Sequence, residues 1–185
     1  MQSYGLPKKQ GLYDPALEHD ACGMGFVVNI KGEKSHDIID EALTVLENLS
    51  HRGSSGADEN TGDGAGILIQ IPHDFFKREC DMLGFDLPKK DSYGVGMVFA
   101  HRYDDFRKTQ MDTFEKIVQE EGQTILGWRE VPIDKTTIGV TALVAMPRFV
   151  QVFIRKDAGL SDDMDFERNA LYYKKKSRRN YCSDE

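Results

Sequence analysis

The chain has 185 residues and 39% hydrophobic content, enough for one domain with a sizeable core. Its 31 acidic residues outnumber 24 basic ones, and the net charge of −7 speaks against a nucleic-acid surface, which presents a basic face. Cysteines at 22, 80 and 182 form neither a CxxC pair nor an even disulfide framework, and no stretch approaches the roughly 18 consecutive apolar residues of a membrane span, so a reducing, cytoplasmic setting is expected.

Residues 1–10 carry Lys8 and Lys9 but no apolar core of the kind a secretory signal needs. Cys22 to Ile30 is mostly apolar and ends at Lys31-Gly32, which predicts a buried strand and a turn. Ser35 can cap the next element, where Ile38, Ile39, Ala42, Val45, Leu46 and Leu49 form one stripe; this predicts a helix from about His36 to Leu49, packed on a sheet. Ser50 to Ala65 has no apolar periodicity. Ile67 to Ile71, before Pro72, has the β-branched content of a strand.

A short helix is expected from about Asp74 to Met82, then a turn around Leu87-Pro88 and a strand over Tyr93 to Phe99. The spacing of Phe106, Met111, Phe114, Ile117 and Val118 predicts a long helix that starts at Asp104 or Asp105 and stops near Gly122. Thr124 to Val131 and Arg148 to Ile154 read as strands. Strands and helices intermix without a regular parallel repeat, so the fold class is α+β in layers. Asp165 to Tyr173 could open a further helix, and Lys174 to Arg179 reads as its solvated basic face.

The chemistry starts at His19-Asp20-Ala21-Cys22-Gly23. If the bond after Ala21 is cut, Cys22 carries both a thiol and a free α-amine, and an amine of pKa about 7.7 to 8.0 can serve as the base for its own sulfur. The alternative is a small buried hydrophobe opening a strand. Downstream, His51-Arg52-Gly53 closes the helix and Thr61-Gly62-Asp63-Gly64-Ala65-Gly66 follows. That run is no phosphate loop: its G-x-G-x-G spacing departs from the nucleotide patterns, no lysine follows, and a strand rather than a helix comes next. His19, Asp20, Cys22 and His51 match no zinc spacing.

The order Cys-Gly, helix, His-Arg-Gly, glycine-rich loop, strand resembles the class II glutamine amidotransferases. Within that class, Tyr13-Asp14-Pro15, His19 to Gly23 and Thr61 to Gly66 resemble the start of the glutamate synthase large subunits, as do Met146-Pro147 and Gln151-Val152-Phe153. The resemblance implies an αββα four-layer sandwich of the N-terminal-nucleophile hydrolase type, present in part. Residues 1–21 would be a pro-segment removed autocatalytically, and residues 22–185 the N-terminal portion of the amidotransferase domain. Cys22 would be the nucleophile that releases ammonia from L-glutamine, with Arg52 and Gly53 in support. Arg52 could favour the thiolate, or act as a structural arginine closing the helix; His51 reads as a partner of the helix dipole.

The resemblance further implies that ammonia passes to a separate domain, where FMN and an iron–sulfur cluster serve the conversion of 2-oxoglutarate to glutamate. Neither cofactor is expected to bind within these residues. The partners implied are the remainder of the large subunit and an electron donor, a small subunit or ferredoxin; a plant-type source would place the protein in the plastid. The family's oxyanion-stabilising Asn-Gly pair, and the Arg and Asp that grip the amino-acid end of glutamine, are expected beyond Glu185, so the chain alone is expected to be inactive. Two other readings stand beside this one: a class II amidotransferase with a different acceptor, and an inert interaction module in which Cys22 stays unprocessed.

Overall fold

A computed structural model describes residues 9–12, 14, 23–53, 56, 58, 60–62 and 64–156, with the side chain of Arg52 left out. Cys22, most of the expected pro-segment, and the tail with its expected helix and basic run lie outside the described residues. The chain packs as two units, Met1–Leu68 and Ile69–Glu185.

In the first unit the expected helix is α1, Asp37–Asn48. Ser35 Oγ accepts the Asp37 N–H at 3.0 Å, and Asp37 and Asp40 place negative charge at the positive end of the helix dipole. The six stripe residues are the partly covered ones, while every other position of α1 is exposed. The segment before the turn covers part of this stripe, at Val45 and Leu49. Gly23 and Gly25 both face the helix, so this segment alternates sides as an extended chain does. Its turn is the expected one: the Gly32 N–H donates to the Asn29 carbonyl at 3.0 Å, with Gly32 at φ 70°.

Two strand expectations are corrected here. Neither 23–30 nor 67–71 is a hydrogen-bonded strand among the described residues. Nor is the first segment buried: Met24 (94% exposed), Phe26 (90%), Val28 and Ile30 stand on the side away from α1, as Leu68 stands fully exposed later. One helix covers one side of such a segment. A strand needs a neighbouring backbone to take its N–H and C=O groups, and none is described beside these residues. For the same reason, α1 packs on an extended segment rather than on a formed sheet.

Among its described residues the second unit holds a three-stranded antiparallel sheet in the order β1-β3-β2, from β1 (Tyr93–Ala100), β2 (Thr124–Glu130) and β3 (Arg148–Arg155). The central β3 is apolar almost throughout because it is covered on both faces. Phe153 packs with Phe76 and Cys80 of α2 (His73–Leu83), together with Leu87 and Tyr93; Val152 and Ile154 pack with Ile117 and Val118 of α3 (Asp104–Glu120). Alternate side chains of one strand thus join two different clusters.

Both helices end on glycines in the left-handed region. Gly84 lies at φ 83° and Gly122 at φ 75°; the following N–H groups of Phe85 and Gln123 return to Cys80 and Val118 carbonyls, which satisfies the last turn. The stop at Gly122 is therefore as expected. Phe106, by contrast, leaves the expected stripe of α3 and is exposed. A short helix that the sequence does not signal, α4 (Val140–Ala145), follows β2; six residues are too few for a periodic pattern. The architecture is thus mixed α and β with an antiparallel sheet.

Candidate functional site

Of the candidate residues, Gly53 and the backbone of Arg52 are described, just past the C-terminal end of α1. Gly23 faces Leu49, where an alanine Cβ would lie 3.0 Å from Cδ2; at Gly25 it would lie 2.5 Å from Cγ1 of Val45. At Gly25 a Cβ cannot fit unless Val45 shifts, and at Gly23 it fits only if the Leu49 side chain gives by a few tenths of an ångström, which accounts for the glycines at alternate positions after Cys22. The contact brings the backbone next to Cys22 onto Leu49, three residues before Arg52. Gly25→Ala should therefore push the segment off α1 and cost about 1–3 kcal/mol of stability, measured by urea unfolding followed by far-UV circular dichroism. An unchanged midpoint would mean that the helix yields without cost.

After Leu49 the chain makes a 3-10 turn, Ser50–Arg52, which ends as the Gly53 N–H donates to the Ser50 carbonyl at 3.0 Å. His51 Nδ1 donates to the Asn48 carbonyl at 3.0 Å, so His51 closes the helix end, in keeping with its expected role at the dipole. Gly53 is extended, at φ −79° and ψ 156°, and exposed. The Arg52 backbone completes the turn between them. The structure thus sets Gly23, Arg52 and Gly53 at one end of one helix; Cys22 itself and the Arg52 guanidinium lie outside the described residues.

Beyond Gly53 the loop is tied by polar contacts. The Gly56 N–H donates to the Thr61 carbonyl at 2.7 Å and the Thr61 N–H to the Asp58 carbonyl at 3.0 Å. The Asp58 carboxylate takes the Asn60 N–H on Oδ1 and the Thr61 hydroxyl on Oδ2, both at 3.1 Å. This is a side-chain-built turn of the kind aspartate favours.

The second unit contains a buried polar group that the sequence reading missed. Arg129 of β2 donates from Nε and Nη2 to Glu79 Oε2 at 2.8 and 2.6 Å and from Nη1 to Gln151 Oε1 at 3.0 Å; its guanidinium lies 5.3 Å from the centre of the Phe75 ring. Arg129 and Gln151 are register partners in the sheet, and Glu79 reaches them from α2. No alternation marked the arginine, because Ile125 to Trp128 are all partly covered before the buried Arg129. Elsewhere His73 Nδ1 lies 3.0 Å from the Tyr93 hydroxyl, beside a cavity of about 250 Å³ lined by Gln70, Ile71, Lys90, Asp91 and Tyr93. Burial, with the neighbouring Cys80 and acidic side chains, pushes the Tyr93 phenol above its ordinary range.

Cys80 is fully buried, and desolvation, followed by the charge of Asp81, pushes its thiol up to about 11. It keeps its proton and is neither a nucleophile nor a thiolate ligand at neutral pH. Among the described residues no group of three or more His, Cys, Asp or Glu side chains could hold a metal ion, so those residues do not fit an iron–sulfur cluster. No helix of the described residues is long and apolar enough to cross a membrane.

The family model for glutamine amidotransferases class-II matches residues 22–185, so the match starts at Cys22. The chain is 46% identical over 176 residues to the large chain of NADPH glutamate synthase from Bacillus subtilis (95% of this chain, 11% of that protein). It is 45% identical over 151 residues to NADH glutamate synthase from Saccharomyces cerevisiae (79% and 7%) and 37% over 158 residues to the chloroplastic ferredoxin-dependent glutamate synthase 2 of Arabidopsis thaliana (84% and 10%). The chain spans about a tenth of the length of these relatives.

Proposed function

Because the chain belongs to the class-II glutamine amidotransferases, we infer that it forms the glutamine-hydrolysing end of a glutamate synthase large chain, with Cys22 as its nucleophile. One observation carries the assignment: the family match starts at Cys22, and the glycines after it seat the chain against the end of α1 that leads into Arg52 and Gly53.

Removal of residues 1–21 frees the α-amine of Cys22. The thiol then attacks the side-chain carbonyl carbon of glutamine while its proton moves to the α-amine. As the C–N bond breaks, that proton goes to the leaving nitrogen, and ammonia departs. Water attacks the remaining thioester, releasing glutamate and restoring the thiol. Two oxyanions form and collapse along the way, and each requires hydrogen-bond donors. Arg52 supports the thiolate form by its positive charge.

In this reading the fold is the αββα four-layer sandwich. Its support is the bare row of Met24, Phe26, Val28 and Ile30 opposite α1, a face that calls for a second apolar layer. The ammonia serves glutamate formation in a separate part of the full enzyme, where FMN and an iron–sulfur cluster supply the reducing chemistry. Among the relatives the names carry NADPH, NADH and ferredoxin, so the electron donor varies across the family.

The test is the chemical start of the active protein. N-terminal sequencing and intact mass of the full-length enzyme should show Cys22 as its first residue, with one ammonia released per glutamine hydrolysed. An active enzyme that retains Met1 to Ala21 would overturn the reading.

A further inference from the structure

Three observations meet at Leu49. Its side chain lies on Gly23, where the atoms closest to a Cβ would be Cδ2, Cδ1 and Cγ of Leu49, at 3.0, 3.2 and 3.4 Å. Its own N–H donates to the Val45 and Leu46 carbonyls, both at 3.1 Å, so it closes α1. It is also the residue from which the Ser50–Arg52 turn starts. One residue therefore touches the neighbour of Cys22 with its side chain and leads into Arg52 and Gly53 with its backbone.

A second contact fixes the register. Val45 stands one helical turn before Leu49 and meets Gly25 as Leu49 meets Gly23. Two residues of extended chain advance about 6.6 Å and four residues of helix about 6 Å, so the two glycines match the two side chains step for step. A slip of one residue would turn Met24 and Phe26 toward α1 and the glycines away from it.

We propose that Leu49 is a positioning residue for glutamine hydrolysis, which acts through Gly23 to hold Cys22 in place relative to Arg52 and Gly53. The proposal rests on the function inferred above. Cys22 is one peptide bond from Gly23, about 3.8 Å between Cα atoms, so freedom at Gly23 passes directly to the nucleophile. Leu49 acts by packing alone and supplies no proton. Truncating it removes all three atoms of the seat, and a displacement of about 1 Å in a reacting group is worth on the order of a hundredfold in rate.

The test separates recognition of glutamine from reactivity of the thiol. Full-length protein is labelled in parallel with a glutamine analogue that carries a diazoketone in place of the amide, and with iodoacetamide; the label on the peptide that begins at Cys22 is quantified by mass spectrometry. Leu49→Ala should lower the rate of analogue labelling about tenfold or more while iodoacetamide labelling stays within about twofold of wild type. Leu49→Met, which keeps the side-chain volume, should recover most of the rate. The neighbouring pair gives an independent check through shape. Gly25→Ala alone should show the same split, and Val45→Ala in the same chain, which removes the Cγ1 that the new Cβ meets, should raise analogue labelling again by about threefold or more. That pair serves if Leu49→Ala does not fold. Analogue labelling at the wild-type rate in Leu49→Ala overturns the proposal. So does an equal fall in both labels, which marks a general disturbance, and so does a loss in Gly25→Ala that Val45→Ala leaves unrelieved. Wild-type protein that resists the analogue at Cys22 instead removes the glutaminase reading on which the proposal stands.

Discussion

Cys22→Ser is expected to abolish glutamine-dependent glutamate formation in the full-length enzyme while leaving ammonia-dependent formation intact. The thiol is the group that bonds to the substrate carbon; a hydroxyl in its place is a far weaker nucleophile, and its neighbouring α-amine cannot make up the difference. Loss of a covalent nucleophile typically lowers turnover by on the order of 10⁴-fold or more. Supplied ammonia bypasses this step, so the second activity reports that the rest of the enzyme is sound. Cys80 cannot substitute, because it is buried and protonated in a different unit. Ordinary glutamine turnover in the serine variant would end the assignment.

Removing Glu79 is expected to be the most damaging of the ion-pair changes. Arg129 keeps about a tenth of its side chain exposed and Glu79 a quarter, so the pair is largely withdrawn from water. Among the described residues, Glu79→Ala leaves the guanidinium with Gln151 and the Phe75 ring, and an uncompensated charge in such a place costs about 3 kcal/mol. Replacing both partners, as in Glu79→Leu with Arg129→Met, should restore most of that loss, since apolar side chains carry no desolvation penalty there. Urea unfolding of the 185-residue chain reads both variants through Trp128, its one tryptophan, which neighbours Arg129 and donates to Glu115 at 2.6 Å. A loss below about 1 kcal/mol in Glu79→Ala would show that water reaches the pair.

Helices were the more legible part of this fold. The stripe from Ile38 to Leu49 announces its covered face directly, because a helix needs only local hydrogen bonds and one apolar neighbour. The strands of the second unit were legible too, since β3 supplies backbone partners to both β1 and β2. Residues 23–30 and 67–71 carry equally apolar sequences, yet composition alone brings no partner strand. The Arg129 group was missed for a related reason: its members come from α2, β2 and β3, 50 and 22 residues apart, and only the folded sheet makes them neighbours. At the candidate site the motif residues could be named from sequence, whereas the tight seat of Gly25 on Val45 and the turn built on Asp58 needed coordinates.

The position of β3 has a consequence in time. It is the central strand of the described sheet and the last of its three strands to be synthesised; β1 and β2 each pair with it, and Tyr93 must wait for Arg155 to emerge. At roughly 5–20 residues per second, a ribosome takes about 3 to 12 s to bridge that interval. Throughout it, β1 and β2 leave the exit tunnel as two unpaired edges, and the helices α2 and α3 have no sheet to cover. The sheet cannot be built strand by strand during translation. It closes in one event on the arrival of its middle, which makes a pause or a premature stop before residue 148 far more hazardous to this unit than one after residue 155.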